Sequence, residues 1–177
     1  YVEDYVAGNR AARVVANGLR VIGPGLRPVI DHLVFWTRAA DERAKEFTRY
    51  GCHFNAKQGV LFRENGGTKI YQKPGYPAVL MTQPHEKRGK KGKIIADWLA
   101  AFGDRTLHHL AGRVDDMDQA VFYLEKQGVP FDWGTLSGTR RDDLRQIFTQ
   151  PELRDGKPFS FLELVERHRG SVGFQPE

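Results

Sequence analysis

The sequence predicts an α+β fold made of two copies of a βαβββ module, and an internal repeat is the main reason for this prediction. The repeated segments are residues 29–54 and 106–131. In each segment an apolar stretch that contains a histidine is followed by a helical stretch, a glycine and a second apolar stretch. His32 precedes Gly51 by 19 positions, and His109 precedes Gly128 by the same 19 positions. Because the spacing matches without a gap, we expect both segments to fold alike.

The ends of the two predicted helices carry recognisable capping signals. Gly51 and Gly128 stand where a residue with left-handed backbone commonly ends a helix. Asp116 can accept a hydrogen bond at the start of the second helix, and Gln119 three residues later completes a capping-box pattern. We expect Val121, Leu124 and Phe122 to form the apolar face of that helix.

Short apolar stretches after each helix complete the modules as strands. The predicted strands are 59–63, 68–72 and 76–82 in the first module and 144–149 and 159–167 in the second. The residues Asn65-Gly-Gly67 predict a turn between two of them. The predicted architecture is a pair of βαβββ modules that form an open, cup-shaped mixed sheet.

The chain divides into four segments on this interpretation. Residues 1–28 form an N-terminal helical arm, with one helix over 2–20 ending near Gly23, and residues 29–84 form the first module. Residues 85–104 contain a basic loop and a short connecting helix, and residues 105–177 form the second module. Residues 28–177 are expected to make one domain.

Composition and charge exclude some classes of protein. The 177 residues are 40% hydrophobic and 28% charged, as in ordinary globular domains, and no apolar run is long enough to cross a bilayer. Cys52 is the single cysteine and nothing near the start resembles a signal peptide, so we expect a cytoplasmic protein. The net charge of +5 owes much to residues 85–93, a run without aromatic residues that is typical of a solvated loop. We therefore expect neither a nucleic-acid partner nor a membrane.

Two histidines and one glutamate make a candidate metal site. His32 and His109 occupy equivalent positions of the repeat, each within a predicted strand. Glu163 lies in the last strand between apolar neighbours on both sides, where a carboxylate is costly unless it is paired or bound to a metal. Two histidines and one carboxylate leave positions open on a six-coordinate metal, an arrangement that suits Fe(II).

Each of these residues also has a plainer interpretation. A single strand histidine is more often a core residue than a ligand, and Glu163 could pair with Arg113 or Arg145. His108 competes with its neighbour His109, but the repeat register selects His109 and predicts that His108 faces the helices. The remaining histidines have no equivalent in the repeat and are expected to be structural or exposed: His53, His85 and His168.

These motifs resemble the vicinal-oxygen-chelate superfamily, and most closely the C-terminal metal-binding domain of 4-hydroxyphenylpyruvate dioxygenases. The resemblance covers residues 29–174 and includes four motifs: Ile30-Asp-His32-Leu, Leu107-His-His109-Leu-Ala, Gln146-Ile-Phe-Thr-Gln-Pro151 and Phe161-Leu-Glu163-Leu-Val-Glu-Arg-His168. It implies that His32, His109 and Glu163 bind Fe(II), or another divalent metal, and that Gln146 lines the substrate pocket. It also implies a 2-oxo acid or related aromatic substrate, O₂ as co-substrate, and oxidative decarboxylation followed by hydroxylation.

The sequence departs from that family at several positions. His108 stands where the family usually has glutamine, and Thr82 stands where it has asparagine. Gln175-Pro-Glu177 replaces the usual residues after Gly173-Phe174, and the family's N-terminal domain and final helix do not occur in these 177 residues. These departures concern the substrate more than the metal.

Three alternatives remain open on the sequence. One is an isomerase or lyase of the glyoxalase or methylmalonyl-CoA epimerase type, in which Gln83 would supply a fourth ligand. Another is an extradiol dioxygenase that cleaves catechols, with His108 or His53 as an extra base. The third is a non-catalytic protein that binds a small molecule. A homodimer is compatible with each of them.

Overall fold

The computed structural model describes residues 1–18, 26–58, 60–63, 66–84, 93–104 and 106–174. The helices are α1 (Val2–Gly8), α2 (Arg10–Gly18), α3 (Ala40–Thr48), α4 (Ile94–Phe102) and α5 (Met117–Lys126). The strands are β1 (Leu26–Trp36), β2 (His53–Phe54), β3 (Val60–Arg63), β4 (Gly66–Gln72), β5 (Ala78–Pro84), β6 (Leu107–Val114), β7 (Phe131–Ser137), β8 (Leu144–Thr149), β9 (Glu152–Arg154) and β10 (Lys157–Arg167). None of the helices in these ranges has the length and apolar composition that a bilayer crossing requires.

The chain forms two compact units, which we call the central unit and the terminal unit. The central unit contains residues 32–108 and 173–177, and the terminal unit contains residues 1–31 and 109–172. The boundaries fall inside β1 and β6, directly before His32 and His109 respectively.

The central unit is a mixed sheet with strand order β2-β4-β5-β1, and β3 pairs with β4. β1 and β5 are parallel, with His32 opposite Ala78, whereas β4 and β5 are antiparallel. Helix α3 packs on one face, where the ring of Phe47 lies 5.3 Å from the fully buried ring of Phe35. The opposite face of β1 carries Val34, which joins an apolar cluster of this unit.

The terminal unit repeats this arrangement with strand order β6-β10-β8-β7, and β9 pairs with β10. β6 and β10 are parallel, with Phe161 opposite His109, whereas β10 and β8 are antiparallel. Helix α5 buries Ala120 and Leu124 completely. Both units are thus open mixed sheets covered by a helix, which confirms the predicted α+β fold class and its repeated module.

The predicted helix ends are also present. Gly51 and Gly128 have positive φ angles of 86° and 76°, which glycine adopts without steric cost. The Asp116 side chain accepts a hydrogen bond of 3.1 Å from the Gln119 amide and caps α5. Phe122 is 60% exposed, so its assignment to the apolar face of this helix was wrong. The ring lies one position off the buried face of the helix.

The N-terminal arm is two helices rather than the single helix that the sequence predicted. Asn9 separates them, and its side chain accepts a hydrogen bond of 2.9 Å from the Ala12 amide at the start of α2. The arm packs on the terminal unit, because Asn9 donates to Ser160 and the Tyr5 hydroxyl donates to the Phe161 carbonyl. Burial raises the pKa of the Tyr5 phenol far above its ordinary value.

Several sequence predictions fall partly outside the described residues. These are the helix end near Gly23, position 59 of the predicted strand 59–63, and residues 85–92 of the basic loop. The connecting helix that follows the loop is present as α4. Of the predicted turn Asn65-Gly-Gly67, Asn65 lies outside the described residues and both glycines belong to β4. Gly66 approaches its neighbour closely, because an added Cβ would lie 2.1 Å from the Gln83 carbonyl oxygen.

Candidate metal centre

Glu163 is a buried carboxylate in the middle of β10. This strand has neighbours on both sides, with Ala111 of β6 and Phe148 of β8 opposite Glu163. Only 2% of Glu163 is exposed, and a charged carboxylate so deep in a sheet is unfavourable without a cation or hydrogen-bond donors. The position therefore requires a specific electrostatic partner.

His109 provides that partner from the adjacent strand. Its Nε2 atom lies 3.3 Å from the Glu163 Oε2 atom, and the imidazole is nearly buried. The register explains the contact, because His109 is opposite Phe161 and Glu163 lies two residues beyond Phe161 in β10. Side chains two residues apart in a strand point to the same face of the sheet. The Phe148 ring lies edge-on to the imidazole, with 5.3 Å between ring centroids.

The spacing of these two donor atoms suits a shared metal ion. Ligand atoms bonded to one metal at right angles lie about 3 Å apart when each bond is about 2.1 Å long. The 3.3 Å between Nε2 and Oε2 is close to that value. A neutral imidazole and a carboxylate are also the donor types that divalent transition metals prefer. The donor set of the terminal unit therefore fits a divalent metal.

His32 occupies the equivalent repeat position in the central unit. It is 4% exposed, and the Phe174 ring packs edge-on against it with 5.2 Å between ring centroids. Gln58 anchors Phe174, because its side chain donates to the Phe174 carbonyl and accepts from the Phe174 amide. The C-terminal residues 173–174 thus return to the first module and cover this histidine.

The first module has no carboxylate at the position that corresponds to Glu163. In the second module Glu163 lies two residues beyond Phe161, the partner of His109. In the first module the residue two beyond Ala78, the partner of His32, is Leu80. Leu80 is 7% exposed and belongs to an apolar cluster with four other buried residues: Val34, Ile70, Ala78 and Phe174. The duplication therefore provides one buried carboxylate rather than two.

The last strand of each module caps that module's helix, which was not predicted from the sequence. The Gln83 side-chain oxygen accepts a hydrogen bond of 2.9 Å from the Ala40 amide at the start of α3. Glu166 accepts one of 3.0 Å from the Met117 amide at the start of α5. Gln83 and Glu166 each stand three residues beyond the Leu80 or Glu163 position. That shared offset within the repeat was a signal that could have revealed both caps.

The other predicted site residue of the terminal unit is Gln146. It lies on β8 opposite Val165, so it shares a sheet face with His109 and Glu163. We call this surface the His109 face. Gln146 is 7% exposed. The terminal unit thus holds His109, Glu163 and Gln146 on one face, and the central unit holds His32.

The remaining histidines take other roles. His108 stacks on the Trp36 ring with 3.6 Å between centroids and contacts Trp98 of α4 edge-on, so it does pack against a helix. His53 is exposed on β2. His168 donates from Nε2 to the Glu166 carboxylate at 2.7 Å. His85 lies outside the described residues.

Of the two arginines that could have paired with Glu163, only Arg113 lies on the same sheet face. Arg145 contacts Glu166 and Asp118 with N–O distances of 3.0 Å, on the sheet face opposite His109. Hydrogen bonds from Arg145 and Arg140 hold the pKa of the Asp118 carboxyl below its ordinary value. Within the described ranges, no ion pair joins Arg113 to Glu163.

Comparison with known proteins finds likeness in structure and none in sequence families. No family model matches the chain, and no curated protein matches its sequence. Three solved structures illustrate the structural likeness. A protein described as a glyoxalase superfamily member, from Ralstonia eutropha, has a TM-score of 0.73 at 13% identity, over 99% of this chain and 83% of that one.

Two enzymes of different activity are similar as well. A mutant of 4-hydroxymandelate synthase from Streptomyces coelicolor has a TM-score of 0.64 at 21% identity, over 85% of this chain and 50% of that one. Methylmalonyl-CoA epimerase from Mycobacterium tuberculosis has a TM-score of 0.55 at 22% identity, over 83% of this chain and 93% of that one. Structural similarity at sequence identities this low establishes the fold and leaves the activity open. This chain has the vicinal-oxygen-chelate fold.

Proposed function

We propose that this chain is an Fe(II)-dependent dioxygenase of a 2-oxo acid or related aromatic substrate, with His32, His109 and Glu163 as metal ligands. The observation that carries the proposal is the pair of His109 and Glu163, whose donor atoms lie 3.3 Å apart on a largely buried sheet face. His32 supports it, because it is buried at the equivalent position of the other module. Two imidazoles and one carboxylate leave positions for substrate and O₂ on a six-coordinate metal.

The first module weighs against an isomerase or lyase that uses a fourth protein ligand. Leu80 stands at the position equivalent to Glu163 and offers no donor atom. The Gln83 oxygen, the other candidate, already accepts a hydrogen bond from the Ala40 amide. Recruiting that oxygen to a metal would leave the first turn of α3 without its cap. A three-ligand site is therefore the better proposal.

The other histidines give no support to catechol cleavage. That reaction would need a further basic histidine beside the metal. His108 is 7% exposed and stacks on the Trp36 ring, and His53 is exposed on β2. A 2-oxo acid, which can chelate a metal through its carboxylate and ketone oxygens, needs no such base. This is why we place the 2-oxo acid before the catechol.

The side chains around the ligands would hold the substrate and keep water away. Fe(II), when bound, supplies the redox chemistry that couples O₂ to oxidation of the substrate. Phe148 contacts the His109 ring and also packs edge-on against Phe161, so this part of the face is lined by aromatic rings. Gln146 offers an amide that can orient the substrate by hydrogen bonding. Low water content strengthens each of these polar contacts.

Oxygen uptake by protein loaded anaerobically with Fe(II) tests the proposal. The substrate panel contains 4-hydroxyphenylpyruvate, other 2-oxo acids and catechols. We expect uptake with a 2-oxo acid, and its loss in the Glu163→Ala variant. His53→Ala is the matched control, because it removes an exposed imidazole and should leave uptake unchanged.

Other outcomes would assign the protein elsewhere. Bound metal without oxygen uptake from any compound would favour an isomerase or a binding protein. Uptake with catechols alone would indicate ring cleavage. Uptake that survives in Glu163→Ala would contradict the ligand assignment itself.

A further inference from the structure

The strand register of the terminal unit places Arg113 and Gln146 on either side of Val165 in one row on the His109 face. Arg113 of β6 is opposite Val165 of β10, and Val165 is opposite Gln146 of β8. The preceding row on the same face contains Ala111, Glu163 and Phe148. Rows on one face are separated by two residues, or about 7 Å. A molecule held at Glu163 therefore needs to extend about this far to reach the next row.

Arg113 contributes a positive charge that the described protein does not neutralise. The side chain is half-buried, and no hydrogen bond or ion pair to it occurs within the residues that the structure describes. Arg167, two residues beyond Val165, is paired with Asp31 at an N–O distance of 2.6 Å. A half-buried guanidinium without an anion is unfavourable, so this position is suited to an anionic ligand.

Gln146 adds a neutral donor on the other side of Val165. Gln146 is only 7% exposed, and its side-chain amide likewise has no hydrogen bond within the described part of the chain. Val165 between the two residues is fully buried and apolar. The row therefore combines a guanidinium and an amide on either side of a buried valine, and these two donors together match a carboxylate.

We propose that Arg113 and Gln146 bind a second carboxylate of the substrate, so that the substrate is a 2-oxo dicarboxylic acid. This inference rests on the proposed function, because the 2-oxo end would be held at the metal. The guanidinium fork donates to the distal carboxylate, and the Gln146 amide donates to the same group from the opposite side. Arg113 thereby determines specificity and takes no part in the oxidation.

Calorimetric binding to anaerobic Fe(II)-loaded protein tests the inference without turnover. The probes are pairs of equal chain length with and without the distal carboxylate: 2-oxopentanoate with 2-oxoglutarate, and 2-oxoheptanoate with 2-oxopimelate. We expect a diacid to bind about tenfold or more tighter than its monoacid, as for a charge-assisted hydrogen bond. Arg113→Gln should abolish the difference, leaving monoacid binding and metal content unchanged.

Two further variants separate charge from structure. Arg113→Lys keeps the charge without the fork and should restore part of the preference. Arg49→Gln is the matched control, because it removes an exposed arginine at the end of α3 and should leave the affinities for monoacid and diacid unchanged. Equal binding of monoacid and diacid by the wild-type protein would overturn the inference, as would a preference that survives in Arg113→Gln.

A metal-free experiment distinguishes failure of this inference from failure of the proposed function. Phenylglyoxal modifies arginine, and mass spectrometry measures its reaction at Arg113 in chelator-treated protein. We expect glutarate to protect Arg113 and pentanoate to protect it much less. Protection without any metal-dependent binding of 2-oxo acids would support the carboxylate site and contradict the metal proposal. Metal-dependent binding of 2-oxo acids without protection of Arg113 and without a preference for diacids would support the metal proposal and contradict the carboxylate site.

Discussion

Replacement of Glu163 by leucine tests whether this buried carboxylate serves a metal or the fold. Glu163 is 2% exposed, and taking its carboxylate out of water into the sheet costs free energy that an apolar side chain would not cost. Leu80 fills the equivalent place in the first module within an apolar cluster. Leucine, of similar volume, should therefore fit. We expect Glu163→Leu to raise the free energy of unfolding of the metal-free protein by about 1–3 kcal/mol.

Thermal and urea unfolding in the presence of a chelator measure this change. For a chain of this size, 1 kcal/mol corresponds to about 2–4 °C in the unfolding midpoint. Adding a divalent metal should raise the midpoint of the wild-type protein, because a ligand that binds the folded state stabilises it. Adding the metal should leave the unfolding midpoint of the Glu163→Leu variant unchanged. Destabilisation of the metal-free variant by more than about 1 kcal/mol would refute the reasoning and make Glu163 a structural ion-pair residue.

Four further predictions concern individual residues. His109→Ala should abolish tight divalent-metal binding while His108→Ala leaves it nearly intact; a metal titration with the reverse result would mean that the register is wrong. Gln146→Ala should weaken substrate binding at normal metal content, and loss of metal instead would give it a structural role. Gln83→Ala should lower the free energy of unfolding by about 1 kcal/mol through loss of a helix cap without changing metal affinity. A fall in metal affinity would revive the four-ligand site. The pKa of Asp118 is lowered in the folded state, so its stabilisation is fully present above its ordinary value of 3.8 and disappears as the pH falls through the folded value. Asp118→Asn should thus lower the free energy of unfolding at pH 7 by less than about 1 kcal/mol, since the side chain is half exposed, and should match the wild type in strong acid.

The sequence by itself determined the features that depend on short spacings. The repeat in register, the glycines that end α3 and α5, and the cap formed by Asp116 and Gln119 all involve residues within one element or its ends. β8 has the predicted bounds, 144–149, because a short run with apolar, aromatic and β-branched residues between charged residues and a proline marks a strand locally. Local periodicity also gave the positions of His32 and His109, which need only the alignment of one module with the other.

Tertiary structure alone decided the contacts between residues distant in sequence. Gln83 caps α3 and Glu166 caps α5 because the last strand of each module brings its side chain to the helix start. The residues around Ala40 and Met117 do not reveal these partners, which only an alignment of the last strands of the two modules could have suggested. Phe174 reaches His32 through its hydrogen bonds with Gln58, which is equally remote in the chain.

The row that contains Arg113 and Gln146 has the same origin. Neither residue stands out in its own strand, and from the sequence Arg113 was expected only as a possible partner for Glu163. Strand register, set by hydrogen bonds between β6, β10 and β8, places the two residues on either side of Val165. A shift of the strand pairing by one residue would turn either side chain to the opposite face of the sheet. The sequence therefore determined which residues can act as ligands, and the register determined which of them share a face.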